Sequence, residues 1–471
     1  MPSDGDRPHR LRWLILGALL IGTVTGTLGN SLVNVALPTI MDHYSVDVGT
    51  GIWVVTIYIL LFAVSMPLFG RLGDMYGYKR AYLIGMAVFA VSSMLSPLAQ
   101  NFPVLILLRG VQGLGNGPIL PAIMAIVGTL FPAGERGRAM GAWALVNSAF
   151  HAAGPPLSGF LTQYFGWQSI FLAYSPLCIV ALFLVWRLMP DDSKSERQPF
   201  DVVGAITLTA ATLVLMFNLR QGTYLGWTSP ASLTLWALCF GLLAAFLVTE
   251  TRVQQPFVDL KLFSNRPYFA ASTIAFAQAF SQFGLLFLIP LFLVEVQRYA
   301  AAQIGLILAC LPVAMAVTAP VAGRLADRYG CRLLCLSGMS VVALSGLALS
   351  VLGPTTPLWY IMASLSLTGV GMGMVQSPAP AAVSLVVPPD KLGVALGLFN
   401  LLRFLAATLG LTIFALVLQT AGTDFAPRSF RMDFYLVSIT AILAVFVGFL
   451  VPKSHAAEAC LAEEQGDSGA E

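Results

Sequence analysis

The amino-acid sequence predicts an all-α polytopic membrane protein of fourteen transmembrane helices: two six-helix bundles joined by two additional helices. Three observations carry that expectation. The 471 residues are 57% hydrophobic and 10% charged, with a mean hydropathy of +0.82, whereas a soluble domain carries about 25% charged residues. Apolar runs long enough to cross a bilayer core of about 30 Å, which takes about 20 helical residues, recur along nearly the whole chain. A distinctive string of residues near position 70 returns near position 323.

In chain order the apolar runs cover 12–37, 52–70, 80–99, 103–131, 137–163, 168–189, 202–220, 231–249, 268–294, 302–322, 331–353, 357–386, 392–420 and 433–452; they are numbered spans 1 to 14. Only helices satisfy so many backbone groups in lipid over runs of this length. With the N-terminus in the cytoplasm, 19 of the 25 Lys and Arg residues fall on the cytoplasmic side. Only Arg220, Arg298, Arg428 and Arg431 fall outside, and Arg109 and Arg403 lie within spans. A miscounted span would scramble this bias, so both termini are expected in the cytoplasm. Arg7, Arg10 and Arg12 precede an apolar run that continues to Asn34 without a small-residue cleavage site, which reads as a first membrane helix and not a signal peptide. The expected organisation is a cytoplasmic tail (1–11), a six-helix bundle (12–190), a linker with two extra helices (191–266), a second bundle (267–453) and a disordered acidic tail (454–471).

Several function classes are excluded or disfavoured at this level. A net charge of +3 with scattered carriers is no nucleic-acid footprint. The six cysteines, at 178, 239, 310, 331, 335 and 460, show neither metal-knuckle nor disulfide-framework spacing. No paired carboxylates, nucleophile–base arrangement or phosphate-binding loop appears. The chain is therefore expected to be no enzyme and to hold no metal or cofactor.

The repeat is the string Gly70-Arg71-Leu72-Gly73-Asp74-Met75-Tyr76-Gly77-Tyr78-Lys79-Arg80, matched by Gly323-Arg324-Leu325-Ala326-Asp327-Arg328-Tyr329-Gly330-Cys331-Arg332. The copies are expected as cytoplasmic loops between spans 2 and 3 and between spans 10 and 11. An offset of eight spans means a six-helix unit, two intervening helices and a second six-helix unit, a known transporter plan. The glycines permit tight turns, and each Asp can cap a helix N-terminus or pair with Arg. Gly70, Asp74, Gly77, Arg80, Gly323, Asp327, Gly330 and Arg332 are therefore the expected conformational motif.

This loop resembles motif A of the major facilitator superfamily, and other stretches resemble its fourteen-span drug:proton antiporter branch. Asn34-Val35-Ala36-Leu37-Pro38 resembles the end of that branch's helix 1, and Trp53-Val54-Val55-Thr56 with Tyr58 resembles the start of its helix 2. Arg109-Gly110-Val111-Gln112-Gly113 followed by Pro121 resembles motif B. Gly154-Pro155-Pro156-Leu157-Ser158-Gly159 resembles the antiporter motif C, with Ser158 where a glycine is usual. Gly226-Trp227-Thr228-Ser229-Pro230 between the two extra helices is especially specific to the branch, and Asn400-Leu401-Leu402-Arg403 with Gly410 resembles its helix 13. The resemblance covers nearly the whole chain apart from the tails. It implies the major facilitator fold and export across a bacterial cytoplasmic (inner) membrane by alternating access, coupled to protons. Gly154, Pro155 and Gly159 would then carry the antiporter motif, and a periplasmic adaptor is a candidate partner.

Ionisable residues inside a membrane are functional candidates by default, and here they are Arg109, His151 and Arg403. No acidic residue is expected mid-span: Asp42, Asp201, Glu250, Glu295 and Asp433 sit at or beyond the expected helix ends. Relatives in the resembled branch commonly carry a proton-coupling carboxylate just before the Asn-Val-Ala-Leu-Pro string, where this chain has Asn30, which cannot titrate. His151 is the replacement candidate, since modest changes around an imidazole load and unload a proton; the alternative is a neutral histidine satisfied by packing. Arg109 is the second proton-coupling candidate, by resemblance, or else locks helix 4 to its neighbours.

Asn30, Asn34, Tyr58, Gln112, Asn147, Gln278, Gln282, Gln376, Asn400 and Arg403 are the expected polar surface of a substrate cavity, with Arg403 favoured as structural. Gln278 and Gln282 lie a turn apart and can face one chamber. A chamber without acidic residues fits amphipathic, weakly charged or lipid-like substrates better than dications. The leading expectation is an exporter of small amphipathic organic compounds. The alternatives are a transporter of an endogenous lipid, metabolite or precursor, or a non-transporting receptor or assembly subunit.

Overall fold

A computed structural model describes residues 9–46, 48–51, 53–190, 201–253, 257–258, 261–299, 301–420 and 427–451. The expected acidic tail, most of the N-terminal tail and positions 191–200 of the expected linker lie outside the described residues. Each expected span is helical: His9–Tyr44, Trp53–Tyr76, Tyr78–Leu95, Phe102–Asn116 with Ile119–Leu130, Ala133–Phe165, Ser169–Leu188, Val202–Leu225, Pro230–Arg252, Arg266–Glu295, Ala301–Tyr329, Cys331–Leu349, Leu358–Gln376 with Pro378–Val386, Leu392–Thr420 and Pro427–Gly448. Thirteen of the fourteen are long and apolar enough to cross a membrane among the described residues. The other, span 5, is a helix of 33 residues, about 50 Å long at 1.5 Å per residue. Its Asn147, His151, Pro155, Pro156 and small residues dilute the hydropathy without interrupting the helix.

Spans 4 and 12 hold the same place in the eight-span repeat, and both are broken helices. Span 4 breaks at Gly117-Pro118, span 12 at Ser377-Pro378. In each case the break follows directly after a buried amide side chain, Asn116 or Gln376. A proline inside a helix removes a donor and clashes with the turn before it, so each break sets a polar side chain at a discontinuity in an otherwise apolar rod.

Two sequence expectations need correction. The repeated strings are not loops but helix ends. Span 2 stays helical through Tyr76 and span 10 through Tyr329, and each turn is one glycine, Gly77 at φ 97° and Gly330 at φ 87°. Residues with a Cβ rarely adopt that conformation, so one glycine does the work assigned to a loop. Span 14 begins at Pro427, six residues before its apolar run, so Asp433 lies inside the helix and is fully buried.

The helices sort into two compact units. One comprises Met1–Phe131, Phe150–Leu260 and Pro388–Leu401; the other comprises Pro132–Ala149, Lys261–Val387 and Leu402–Glu471. In the first, span 1 packs on span 6, span 4 on spans 2 and 3, and span 3 on span 6. In the second, span 12 packs on spans 10 and 11, and span 14 on spans 9 and 11.

The two additional helices, spans 7 and 8, pair within the first unit. Asn218, near the end of span 7, is buried and satisfied by Ser232 at the start of span 8, whose Oγ donates to Asn218 Oδ1 at 2.8 Å and whose carbonyl accepts from Nδ2 at 3.3 Å. Trp53 of span 2 stacks on Phe217 at 5.6 Å. The turn joining spans 7 and 8 accounts for its distinctive sequence. Gly226 takes φ 80°, Ser229 caps span 8 by accepting from the Ser232 N–H at 3.2 Å, and Pro230 starts the helix where its missing N–H costs nothing. Ser229→Ala is therefore expected to destabilise the protein by about 1 kcal/mol, and Gly226→Ala by at least about as much because its φ is positive. Thermal unfolding of the purified protein in detergent checks both, with Thr228→Ala as an unaffected control.

Candidate functional site

In the first unit a polar cluster surrounds Arg109, which is 0% exposed. Its guanidinium is held by uncharged groups. Nε donates to the Val54 carbonyl at 3.1 Å, and Nη1 donates to the Gly29 carbonyl at 3.2 Å and to Gln112 Oε1 at 2.7 Å. The Tyr58 ring lies beneath it, 4.2 Å from the guanidinium carbon, a cation–π contact strengthened by desolvation. Gln112 passes the network on, donating from Nε2 to Ser93 Oγ at 2.8 Å and to the Tyr174 hydroxyl at 3.3 Å. Asn116 donates to the Tyr58 hydroxyl at 2.8 Å, which itself donates to the Gly26 carbonyl at 3.3 Å. Arg109 Nη2 has no hydrogen-bond partner. Spans 1, 2, 3, 4 and 6 are thus tied together through one buried cation.

The second unit holds a shorter chain of the same chemistry. Gln278 of span 9 donates to Gln376 Oε1 at 2.7 Å and to the Met372 carbonyl at 3.1 Å. Arg403 of span 13 donates from Nη2 to the same Gln376 oxygen at 3.1 Å. Gln278 and Gln376 are buried, whereas Arg403 and Gln282 are part-exposed. Here too the guanidinium pairs with amides, and its Nε is without a partner. Asn400 belongs to the first unit, where its Nδ2 donates to the Leu396 carbonyl at 2.8 Å and lies 3.3 Å from Met124 Sδ.

The repeated acidic residues are helix caps. Asp74 accepts from the N–H groups of Gly393 and Val394 at 2.8 Å each, in the first turn of span 13, and also from the Tyr78 hydroxyl. Asp327 accepts from the N–H groups of Gly137 and Arg138, near the start of span 5, at 2.7 and 2.8 Å. Of the two roles the sequence left open, capping is the one adopted. Carboxylates at helix N-termini are favoured by the unpaired N–H groups and the dipole there.

In the antiporter motif a Cβ on Gly154 would overlap the Ser31 side chain, and Ser158 donates to the Leu32 carbonyl at 2.6 Å. The serine that departs from the usual glycine thus forms a cross-link between spans 5 and 1. Gly159 meets nothing within 4 Å. Pro155 and Pro156 withhold the N–H groups that would otherwise reach the carbonyls of residues 151 and 152. His151 is exposed, Asn147 and Asn30 are half-buried, and Asn34 is exposed with its Nδ2 on the Asn30 carbonyl at 3.1 Å.

Of the sequence candidates, Tyr58, Arg109 and Gln112 come together, as do Gln278, Gln376 and Arg403. Ser93 and Tyr174, which close the first network, were missed; each is a small or aromatic residue in an apolar run with no distinguishing spacing. Asp433 was also missed, although Pro427, a residue favoured at the first helical position, marks a start that would have put it well inside the helix.

Fourteen long helical spans among the described residues, buried polar clusters within them and a pair of repeated capping motifs define a multi-pass membrane transporter. The chain matches the Major Facilitator Superfamily over residues 19–411 and 271–468. It is 31% identical to the riboflavin transporter RibZ of Clostridioides difficile over 409 residues, 86% of this chain and 88% of that one. It is 30% identical to multidrug resistance protein 3 of Bacillus subtilis over 429 residues, covering 90% and 83%. To the tetracenomycin C resistance and export protein of Streptomyces glaucescens it is 29% identical, covering 90% and 79%. The fold is similar to that of the human organic anion transporter MFSD10, with a TM-score of 0.70 at 17% identity over 94% of this chain and 100% of that one. The chain belongs to the major facilitator superfamily.

Two measurements follow from the buried network. Gln112→Leu removes the one side chain among the described residues that accepts from Arg109 and leaves a desolvated cation short of a partner, a loss of about 1–3 kcal/mol or more. Arg109→Met with Gln112→Leu removes both members and should recover part of that loss, because replacing both partners by apolar groups is milder than orphaning one. Unfolding curves of the single and double variants test this; a double variant less stable than Gln112→Leu alone would refute it. Asp74→Asn and Asp327→Asn, which weaken the caps, should each cost about 0.5–2 kcal/mol in the same assay.

Proposed function

We propose that this protein is a secondary active transporter that exports small amphipathic organic compounds by alternating access of two six-helix halves, driven by protons, in a bacterial cytoplasmic membrane with both termini inside. The observation that carries the substrate class is the Gln278–Gln376–Arg403 chain. It offers hydrogen-bond donors and acceptors near the middle of spans 9, 12 and 13, beside part-exposed Gln282, with no carboxylate among its partners. Amides and aromatic rings bind neutral or weakly charged amphiphiles through a few oriented polar contacts and apolar area. The multidrug resistance and tetracenomycin export relatives support the direction and substrate breadth.

In this cycle the caps on Asp74 and Asp327 act as latches. Each is a charge-assisted contact to backbone donors, strong enough to bias a conformation and weak enough to be released. His151, one turn before the close approach of Gly154 to Ser31, and Arg109 are proton-coupling candidates within the first unit.

A second reading is favoured by one observation, the similarity to a riboflavin transporter along nearly its full length: transport of an endogenous metabolite. Purified protein in liposomes with an imposed proton gradient separates the two. Gradient-dependent movement of ethidium and of several unrelated amphiphilic dyes supports broad export, whereas movement of riboflavin alone supports the metabolite reading. No protein-dependent movement of any probe would overturn both. His151→Ala is expected to lower gradient-driven movement while leaving the unfolding temperature unchanged, and unaltered movement would remove His151 from the mechanism.

A further inference from the structure

Asp433 stands apart from every polar group described above. It is 0% exposed, and neither Oδ1 nor Oδ2 has a hydrogen-bond partner. It lies six residues into the helix Pro427–Gly448. Phe430 and Phe434 of that helix pack on Phe292 of span 9, with ring centroids 5.3 and 6.4 Å apart. Leu288 and Val437 are also fully buried. On the span 11 side, Gly346 lies against the Phe434 carbonyl, and Ser438 donates to the Ala343 carbonyl at 3.0 Å. Asp433 is therefore fully buried on a stretch of helix whose neighbouring side chains pack as an aromatic and aliphatic layer.

Among the described side chains, no charged group on the packed helices lies against it. On span 9 the ionisable residue at the Phe292 end is Glu295, itself 3.8 Å from Arg298, while Arg266 and Tyr268 lie at the opposite end. On span 11 the ionisable residues are Cys331, Arg332 and Cys335; even Cys335 is about 16 Å along the helix from Gly346. On its own helix Arg431 and Tyr435 are exposed. An ionised carboxylate without donors or a cation is too costly in such a place, so the arrangement accepts the group only as the neutral acid.

We propose that Asp433 is a proton-binding group of the transport cycle, beside the candidates His151 and Arg109. Its carboxyl holds a proton while packed against the Phe292 layer, and it gives that proton up when a rearrangement of span 14 admits water. A proton from water on one side joins a carboxylate oxygen and later leaves to water on the other side, with no other bond changed. In the orientation argued from the loop charges, Asp433 lies near the outer face, about 5 Å below the start of the apolar stretch Phe430–Gly448, so the water path from outside is short. This inference rests on the proton-coupled reading above and adds a site on span 14 to the candidates on spans 4 and 5, where span 1 offers only Asn30.

The test has two independent arms on the full-length protein. In lipid nanodiscs, infrared difference spectra between acidic and alkaline buffer should show the carbonyl band of a carboxylic acid. That band should shift in heavy water, disappear in Asp433→Asn and move to a new position in Asp433→Glu. In liposomes with an imposed proton gradient, Asp433→Asn should lose gradient-driven movement of riboflavin and ethidium but keep exchange without a gradient, and Asp433→Glu should restore part of the driven movement. A band that ignores pH, that survives in Asp433→Asn or that stays in place in Asp433→Glu overturns the proposal. So does gradient-driven movement at the wild-type level in Asp433→Asn. If Asp433→Asn does not purify as a folded protein, the band position in Asp433→Glu decides. If the wild type moves neither probe, the transport reading fails, and the infrared arm still decides whether Asp433 exchanges a proton.

Discussion

Inside a bilayer no water is available to solvate a charge, so each charged side chain must find its partners within the chain or be neutral. This chain answers differently for each sign. Guanidinium groups lie deep, where Arg109 is met by two backbone carbonyls, an amide oxygen and the face of Tyr58. Arg403 is met by Gln376. The repeated carboxylates lie instead at helix starts, where Asp74 and Asp327 each take two backbone N–H groups. Cations thus use spare carbonyl and amide acceptors within the helices, and anions use spare donors at their ends.

The separation has a geometric cause. Mid-helix N–H groups are all committed to carbonyls four residues earlier, so a carboxylate at mid-span finds few donors in the backbone. A carbonyl oxygen has a second lone pair and can accept again, so an arginine does find backbone partners there. A carboxylate is stabilised only where the helix starts and leaves N–H groups open. Asp433 breaks this rule, being neither at the first turn of its helix nor beside another helix start, and it is without hydrogen bonds.

Much of this was legible in the sequence. The fourteen helices follow from apolar run length, and the capping role of Asp74 and Asp327 was one of two roles open to an acid in a Gly-rich repeat. The grouping of Gln278 with Gln376 and Arg403 needed the fold, because it joins spans 9, 12 and 13 and no spacing encodes it. Ser158 was readable only as a departure from a motif, until its hydroxyl was found on the Leu32 carbonyl. Two misreadings share one origin. Apolar run length marks where lipid begins, not where the helix does, so the helical ends at residues 70–76 and the turns before Asp433 were placed outside the helices. The glycines at 77 and 330 and the proline at 427 carried the missing boundary information.

The caps also bear on how a transporter built this way could move. Each capping carboxylate contributes about 0.5–2 kcal/mol by the usual worth of such contacts, and two such contacts shift a two-state equilibrium by a factor of roughly 5 to several hundred. That is enough to make one arrangement predominate and small enough for a bound ligand to reverse, since ligand-linked couplings of 1–3 kcal/mol are ordinary. A salt bridge to a fixed cation would serve less well, because breaking it within the membrane would leave two desolvated charges. Releasing a cap at a helix start leaves one carboxylate and two N–H groups close to water, where each is readily solvated. Capped carboxylates at helix ends, with guanidinium networks held inside the bundles, would keep the cost of such motion low.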